Sequence, residues 1–312
     1  MVALTAILDD AGAADTQLHV YYNLENKNLG LQFRNENDNS DEKINTFAPD
    51  EKAHPGFIVQ QSFLASTKFN NQELIFGITE KKGFSINQGC QGAQTQDVNC
   101  PPGATPIDVS LVSPVYKVLS TAYSDNFKIA ACSSAKETWT YYLKKNPKNG
   151  SLNIYEATIG PGNDIVYDAP PTILPGSALA AYYDTTNKTR YIIFQGTSGN
   201  LLNEYAAKGS NNPIKNAKGV KKLSTIAVAV TKTTVFLYYL DDNNMLNRVT
   251  KPLGGGIKWT AAESVDGADS AAAEDTQLTV TTCGSNNHIF YQAQDQASVS
   301  GFTHIIDPQV YE

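Results

Sequence analysis

The hydrophobic pattern of the chain consists of short apolar segments separated by polar turns. A typical stretch is RYIIFQGTSGNLLNEY at 190–205, where two apolar segments flank a turn rich in Gly, Ser and Asn. Segments of this kind, rich in Val, Ile, Tyr and Phe and bounded by turn residues, predict β-strands joined in hairpins. The pattern therefore predicts an all-β chain.

An aromatic-rich strand is the strongest part of each unit, and it recurs along the whole chain. The copies are LHVYYN (18–23), ELIFGI (73–78), TWTYYL (138–143), RYIIFQ (190–195), VFLYYL (235–240) and HIFYQA (288–293). A strand of small residues, such as FKIAACSS or TIAVAVT, precedes each copy, and a turn and a third strand follow most of them. Small residues suit inner strands that crowd around a common axis.

Six units of roughly 50 residues, each with three or four antiparallel strands, predict a six-bladed β-propeller. A β-sandwich is the alternative fold, but it gives no reason for six evenly spaced strands of small residues. We expect one domain over 1–312, with the last blade lacking an outer strand. The expected blades are 1–60, 61–117, 118–175, 176–222, 223–275 and 276–312.

The composition limits the partners of the chain. Its 312 residues carry a net charge of −7, which argues against nucleic acid as a ligand. No apolar run approaches the roughly 20 residues that a membrane-spanning helix needs, so no membrane partner is expected. The first 12 residues are too short and too acidic for a signal peptide. Two locations stay open: the secretory pathway or cell exterior, with a leader removed, and the cytoplasm.

The cysteines and histidines point to a disulfide rather than a metal site. Cys90 and Cys100 enclose a polar loop, and a disulfide between them would restrain it. Zinc is the alternative, but no second pair of cysteines has zinc-finger spacing and the histidines lie singly in the sequence, so no metal is expected. Cys132 and Cys283 fall in apolar strands and are predicted to be buried thiols.

The repeating unit resembles that of the fungal fucose-binding lectins, which are six-bladed propellers. The shared features are the strand of small residues, the aromatic strand, the Asn-rich turn and a third strand of the type NxLxE, and they cover the whole chain. The resemblance implies sugar sites between blades. In those sites an Arg and a Glu grip hydroxyl groups and an aromatic ring covers the apolar face of the sugar.

The residues that would bind the sugar do not carry over. The position of the lectin Arg holds no arginine in any unit: it holds His19, Leu74, Trp139, Tyr191, Phe236 and His288. At the Glu position the pattern matches only Glu204, and Arg190 lies one residue too early, which in a strand turns it to the opposite face. If the chain binds glycans with an altered specificity, Glu204 and Trp259 are the sugar-contact candidates.

The lost sugar motifs and the unequal linkers favour one unique pocket at the mouth of the central channel. In this respect the chain resembles the fungal hetero-Diels-Alderases of tropolone-sesquiterpenoid biosynthesis, which have lectin-like propellers without the sugar motif. That resemblance implies a quinone-methide-type diene and a humulene-type alkene as substrates, with no metal or organic cofactor. The lectin function remains the alternative.

The chemistry of a cycloaddition sets the residues to look for. Such a reaction needs no nucleophile, so catalysis comes from holding two apolar partners in register and from donors to a carbonyl oxygen. No GxSxG motif is present, and adjacent acidic residues such as Asp9 and Asp10 lie in turns, which disfavours a hydrolase.

Candidates for the pocket are polar or aromatic residues just before the inner strands. Lys117, Gln61 and Gln277 are the predicted catalytic donors. The predicted substrate-binding residues are Gln60, Tyr116, Tyr123, Ser224, Thr225 and Thr276.

Overall fold

The structure is a computed structural model. It describes residues 3–12, 17–24, 27–35, 44–45, 58–60, 62–81, 105–124, 126–146, 151–160, 165–167, 173–207, 209–256, 258–296 and 301–309. All regular elements in these residues are β-strands, arranged in six antiparallel sheets. Within the same residues there is no helix with the length and apolar character needed to span a bilayer.

Each sheet is one blade, and its strands are paired in chain order. Blades one to three contain β1 (Leu4–Leu8), β2 (Leu18–Asn23), β3 (Leu29–Arg34) and β4 (Ile44–Asn45); β5 (Leu64–Phe69), β6 (Gln72–Glu80), β7 (Thr105–Ser113) and β8 (Lys117–Ser124); and β9 (Ile129–Ser133), β10 (Thr138–Lys145), β11 (Leu152–Thr158) and β12 (Ile165–Tyr167). Blades four to six contain β13 (Leu179–Asp184), β14 (Thr189–Gln195), β15 (Leu202–Ala206) and β16 (Asn211–Pro213); β17 (Ile226–Val230), β18 (Thr234–Leu240), β19 (Leu246–Pro252) and β20 (Glu263–Ser264); and β21 (Thr279–Cys283), β22 (Asn286–Tyr291) and β23 (Thr303–Pro308).

The first strand of each blade faces the axis of the ring. Each of these inner strands packs against the inner strands of the two neighbouring blades, and β21 packs against β1 to close the ring. Small side chains such as Ala65, Ala130, Ala180 and Ala227 line the channel between them. The prediction of an all-β, six-bladed propeller is thus confirmed, and the small residues lie where space around the axis is limited.

Blade two differs from the sequence-based boundaries. The third strand of this blade is β7, which pairs directly with β6. The fourth strand is β8, which pairs with β7, although residues 118–124 had been assigned to blade three. The long 82–104 insertion hides this relationship in the sequence. Blade six has three strands in the described residues, as expected.

Paired tyrosines place one ring on each face of a blade. Tyr141 and Tyr142 are both fully buried, yet they belong to two different hydrophobic clusters, and Tyr238 and Tyr239 behave in the same way. Burying each ring contributes on the order of 2 kcal/mol to packing between neighbouring blades. Cys132 and Cys283 are buried free thiols, whereas Cys90 and Cys100 lie outside the described residues.

Candidate functional site

A hydroxyl group marks the start of the inner strand in four blades. In each of them the hydroxyl oxygen accepts a bond of 2.8–2.9 Å from a backbone N–H at or near the end of the second strand. These residues are Ser62, Ser177, Ser224 and Thr276. The hydroxyls of Ser224 and Thr276 therefore join the start of the inner strand to the end of the second strand in their own blades. Ser124, the last residue of β8 in blade two, instead donates to the Leu143 carbonyl of blade three.

A cavity of about 360 Å³ opens at the end of the ring where the inner strands begin. Blades two to six contribute to its wall, and the residues that line it are Phe63, Lys128, Gly176, Ala178, Lys221, Lys222, Leu223, Ser224, Thr225, Leu240, Glu274, Asp275 and Thr276. Its volume lies within the range of small-molecule sites, which is about 300–1,000 Å³. We call this cavity the mouth pocket.

Lys128 is one of three lysines that line the mouth pocket. Its ammonium nitrogen lies 3.4 Å from the centroid of the Phe63 ring, in a cation–π contact between blades three and two. Burial lowers the pKa of Lys128 to about 8, while the negative charge of Asp275 opposes this shift. The amine is therefore a stronger proton donor than an ordinary lysine and remains largely protonated at neutral pH.

Leu223 forms an apolar wall of the pocket in an unusual backbone conformation. Its φ is 60°, in the left-handed region, and its side chain is 46% exposed. Gln195 supports this conformation: its Oε1 accepts from the Leu223 N–H at 2.7 Å, and its Nε2 donates to the Lys221 carbonyl at 2.9 Å. A non-glycine residue held in this region costs about 1–2 kcal/mol, and such strain concentrates at binding sites.

An ion pair forms part of the rim. Lys221 Nζ lies 2.9 Å from Glu274 Oε2 and also donates to Asn244 Oδ1. The hydrogen bond from Lys221 is the main cause that lowers the pKa of Glu274. Lys221 is therefore engaged at the rim, and Lys128 lies against the Phe63 ring in the wall of the same pocket.

The predicted site residues divide into three groups. Ser224, Thr225 and Thr276 line the mouth pocket. Gln277 faces the channel, where Oε1 accepts from the N–H groups of Leu4 and Leu64 and Nε2 donates to the Leu64 carbonyl. This amide therefore joins blade six to blades one and two.

The remaining predicted residues lie away from the pocket lining or outside the described part. Lys117 begins the outer strand β8 and donates to the Ile159 carbonyl at 2.6 Å, and Tyr116, next to it, is 39% exposed. They lie at the outer edge because β8 belongs to blade two, not to the entry of an inner strand. Gln60 is exposed; Tyr123 lies on β8 without a described side chain; Gln61 lies outside the described residues.

Lys128, Phe63 and Leu223 are among the pocket residues that the sequence did not single out. A lysine beside an apolar strand usually has a solvated head group, and the contact with Phe63 is made across a blade boundary. Lys128 lies directly before an inner strand, as the predicted residue Thr225 does. This position is the sequence signal that could have found Lys128.

Charged pairs fill the interfaces where the lectin resemblance would place sugar. The register of β10 with β11 and of β14 with β15 puts Glu156 and Glu204 at equivalent positions. Two blades therefore carry a glutamate at this position, whereas the sequence pattern matched only Glu204. Glu156 pairs with Arg190 at 3.2 Å, and Glu204 pairs with Lys251 at 2.7 Å. Arg190 does point away from the lectin position, toward Trp139 of blade three.

Trp259 completes the Lys251 interface. It is 3% exposed, and its ring centre is 5.1 Å from the Lys251 ammonium nitrogen. The two predicted sugar-contact residues, Glu204 and Trp259, therefore lie in one interface but are linked by a lysine. The carboxylate of Glu204 is used by Lys251 and by the Tyr182 hydroxyl.

These features define a six-bladed propeller of lectin-like fold with filled interblade positions and an asymmetric mouth pocket. Among solved structures, the chain is similar to the Aleuria aurantia lectin, described as a six-bladed β-propeller with a novel fucose recognition mode (TM-score 0.58, 16% identity, covering 99% of this chain and 95% of the lectin). It is also similar to AofleA from Arthrobotrys oligospora (TM-score 0.57, 14% identity, covering 97% and 86%). At these identities the similarity establishes the fold alone.

Two curated relatives carry the name wall-associated proteinase. The protein of Coccidioides immitis (strain RS) is 27% identical over 274 residues, which cover 82% of each chain. The protein of Coccidioides posadasii is 29% identical over 241 residues, which cover 72% of this chain and 71% of the relative. No family model matches the chain.

Proposed function

We propose that the chain is a cofactor-independent pericyclase that accelerates an intermolecular hetero-Diels-Alder reaction in the mouth pocket. The observation that carries the proposal is the position of Lys128, a partly desolvated amine that lies 3.4 Å from an aromatic ring centre inside the cavity. The proposed substrates are a quinone-methide-type diene and a humulene-type alkene.

The catalytic role of Lys128 would be electrostatic. As the cycloaddition proceeds, negative charge grows on the carbonyl oxygen of the diene, and a fixed cationic donor stabilises that charge more in the transition state than in the ground state. Since burial has already removed part of the water around Lys128, little solvent reorganisation is needed when the substrate binds.

The apolar walls would orient the two partners. Phe63 and Ala178 offer flat and small apolar surfaces, and Leu223 stands on the exposed side of the cavity. Holding two reactants in contact removes much of the entropic cost of a bimolecular step. At about 360 Å³ the cavity suits the flat diene, and the alkene would then lie across the mouth beside Leu223.

The filled interblade positions support a single site over a multivalent lectin. A sugar would have to displace the Glu204–Lys251 or Glu156–Arg190 pair, leaving a buried charge without its partner. The mouth pocket requires no such displacement.

The test is the stereochemistry and rate of adduct formation from an enzymatically generated quinone methide and a humulene-type alcohol. Lys128→Met should lower the catalysed rate about 100-fold or more, as for loss of an oxyanion donor. Lys232→Met is the matched control, because Lys232 is exposed in the hairpin at the far end of its inner strand. Wild-type yield and stereochemistry equal to the buffer background would refute the function, and an unchanged Lys128→Met rate would refute the role of Lys128.

Glycan binding is the second candidate, and the cleft beside Trp259 favours it. A cavity of about 360 Å³ lies between β16 of blade four and residues 258–259 of blade five. Trp259 lines this cavity, so its ring is the aromatic surface that a sugar would contact. Binding on a glycan array that Trp259→Ala abolishes and Lys128→Met leaves unchanged would select this function over the first.

A further inference from the structure

A cluster of potential metal ligands lies where blade one contacts blade two. One ligand atom each from Asp9, His19 and Glu73 lies within 4.8 Å of the other two, and all three residues are partly buried. The sequence offered no sign of this cluster, because Glu73 is separated by 54 residues from His19 and belongs to another blade. His19 is isolated in the sequence, but the fold brings two carboxylates to it.

Regular structure fixes each member of the cluster. Asp9 directly follows β1, and its N–H donates to the Gln17 carbonyl at 2.8 Å at the end of the hairpin. His19 lies on β2, with its ring edge against Phe33 at a centroid distance of 4.8 Å. Glu73 lies on β6, paired with Lys68 of β5. Ligands held by strands keep their geometry better than ligands on loops.

The charges around the cluster favour a cation. His19 Nδ1 lies 2.9 Å from Glu73 Oε2, and the Tyr21 hydroxyl donates to the same oxygen at 2.8 Å. Lys68, the nearby lysine on β5, pairs with Asp10 at 2.6 Å. Two carboxylates therefore face one imidazole.

We propose that Asp9, His19 and Glu73 bind one Zn²⁺ ion that links blade one to blade two. An imidazole nitrogen with two carboxylate oxygens is a donor set that zinc accepts, and water would complete the tetrahedron. The Tyr21 hydroxyl would not bind the ion itself. It donates a hydrogen bond to Glu73 and so orients the carboxylate. The site lies near the ends of the inner strands, opposite the mouth pocket, so it is separate from the proposed reaction.

Binding of the ion would replace the direct bond between His19 and Glu73. Since the ligands come from two blades, only the closed ring presents the whole set, and Zn²⁺ should raise the melting temperature of the full chain.

The experiment is calorimetric titration of Zn²⁺ into the full chain after treatment with a chelator. We expect one equivalent, with affinity reduced at least 10-fold by His19→Ala, Glu73→Gln or Asp9→Asn. Asp10→Asn is the matched control: it neutralises the next carboxylate, which pairs with Lys68 outside the cluster, and should bind like the wild type.

Substitution of Co²⁺ gives a second measurement that does not depend on stability. Tetrahedral Co²⁺ should show strong visible absorption in the wild type, and His19→Ala should lose it while its circular dichroism stays that of a folded β-protein. Absence of stoichiometric binding would overturn the proposal. So would binding that is unchanged in all three ligand variants, because the ion would then occupy another place.

Discussion

Lys251 of blade five and Glu204 of blade four form a buried ion pair, with 2.7 Å between Nζ and Oε1 and side chains only 3% and 1% exposed. The Tyr182 hydroxyl donates to the same carboxylate, and the rings of Tyr191 and Trp259 flank the ammonium group. A group of this kind specifies how two blades meet, because neither charge has another partner of opposite sign at that distance in the described interface.

Removal of one member of the Lys251–Glu204 pair should destabilise the ring strongly. We expect Lys251→Met or Glu204→Gln to lower the free energy of unfolding by about 3–5 kcal/mol, since the partner stays buried without compensation. The double change Lys251→Met with Glu204→Leu should recover much of the loss. Urea unfolding measures all three, and Lys68→Met, which breaks the exposed pair with Asp10, should cost less than about 1 kcal/mol. Equal losses at both pairs would contradict the inference.

Buried tyrosines bonded to carboxylates should make the protein sensitive to alkali. Burial, with the charge of a neighbouring carboxylate, raises the pKa values of Tyr182, Tyr167 and Tyr238 far above 10. In the unfolded chain these phenols lose their protons near pH 10, so the folded state binds more protons and stability falls as the pH rises above about 10.

Tyrosine absorbance near 295 nm checks this directly. Titration should show an early phase from exposed tyrosines and a late phase that coincides with loss of β-structure by circular dichroism. The Tyr182→Phe variant should lose part of the late phase only. A smooth titration of all tyrosines around pH 10 with the fold intact would disprove the inferred environments.

Lys128 should lower stability at neutral pH. Its folded pKa of about 8 lies below the unfolded value, so the cost of burying its charge is fully present below pH 8 and is relieved as the pH rises toward about 10.5. We expect Lys128→Met to stabilise the protein by about 1–2 kcal/mol at pH 7 and by much less at pH 9.5. Lys232→Met should show no such dependence in the same denaturation series.

The catalysed reaction should depend on the same proton. If protonated Lys128 donates to the diene, the catalysed rate should fall with a midpoint near pH 8 as the amine loses its proton. Rates measured from pH 6 to 9.5, corrected for the uncatalysed reaction, check this. A flat profile in a fully active protein would remove the amine from the mechanism.

Gln277 should be worth far more to stability than an exposed glutamine. Its amide bonds three backbone groups of Leu4 and Leu64 across the blade six, one and two junctions. Gln277→Ala leaves these groups without a partner, which should cost about 2–4 kcal/mol. Gln72→Ala, at an exposed position on β6, should cost less than about 0.5 kcal/mol. Comparable costs for the two variants would show that the amide does not hold the ring closed.

The repeats made the fold predictable, because a strand of small residues that recurs before each aromatic strand is typical of the crowded inner strands of a propeller. The residues of the site were harder to predict from the sequence. The NxLxE pattern found Glu204 but missed Glu156, since the equivalence depends on strand register rather than on spacing from the Asn turn. Lys117 was chosen because β8 was taken for the entry to blade three. Lys128 and the Asp9 cluster act across blade boundaries, where sequence distance carries no information.

The hydroxyl groups of four equivalent residues also give a common reference point for comparing blades: Ser62, Ser177, Ser224 and Thr276. Each hydroxyl identifies the same backbone level in its blade, whatever the length of the linker before it. These four blades can therefore be superimposed on one another by this one small residue. The position directly after it holds Phe63, Ala178, Thr225 and Gln277 in turn, so one structural position carries four different side chains at the same end of the ring.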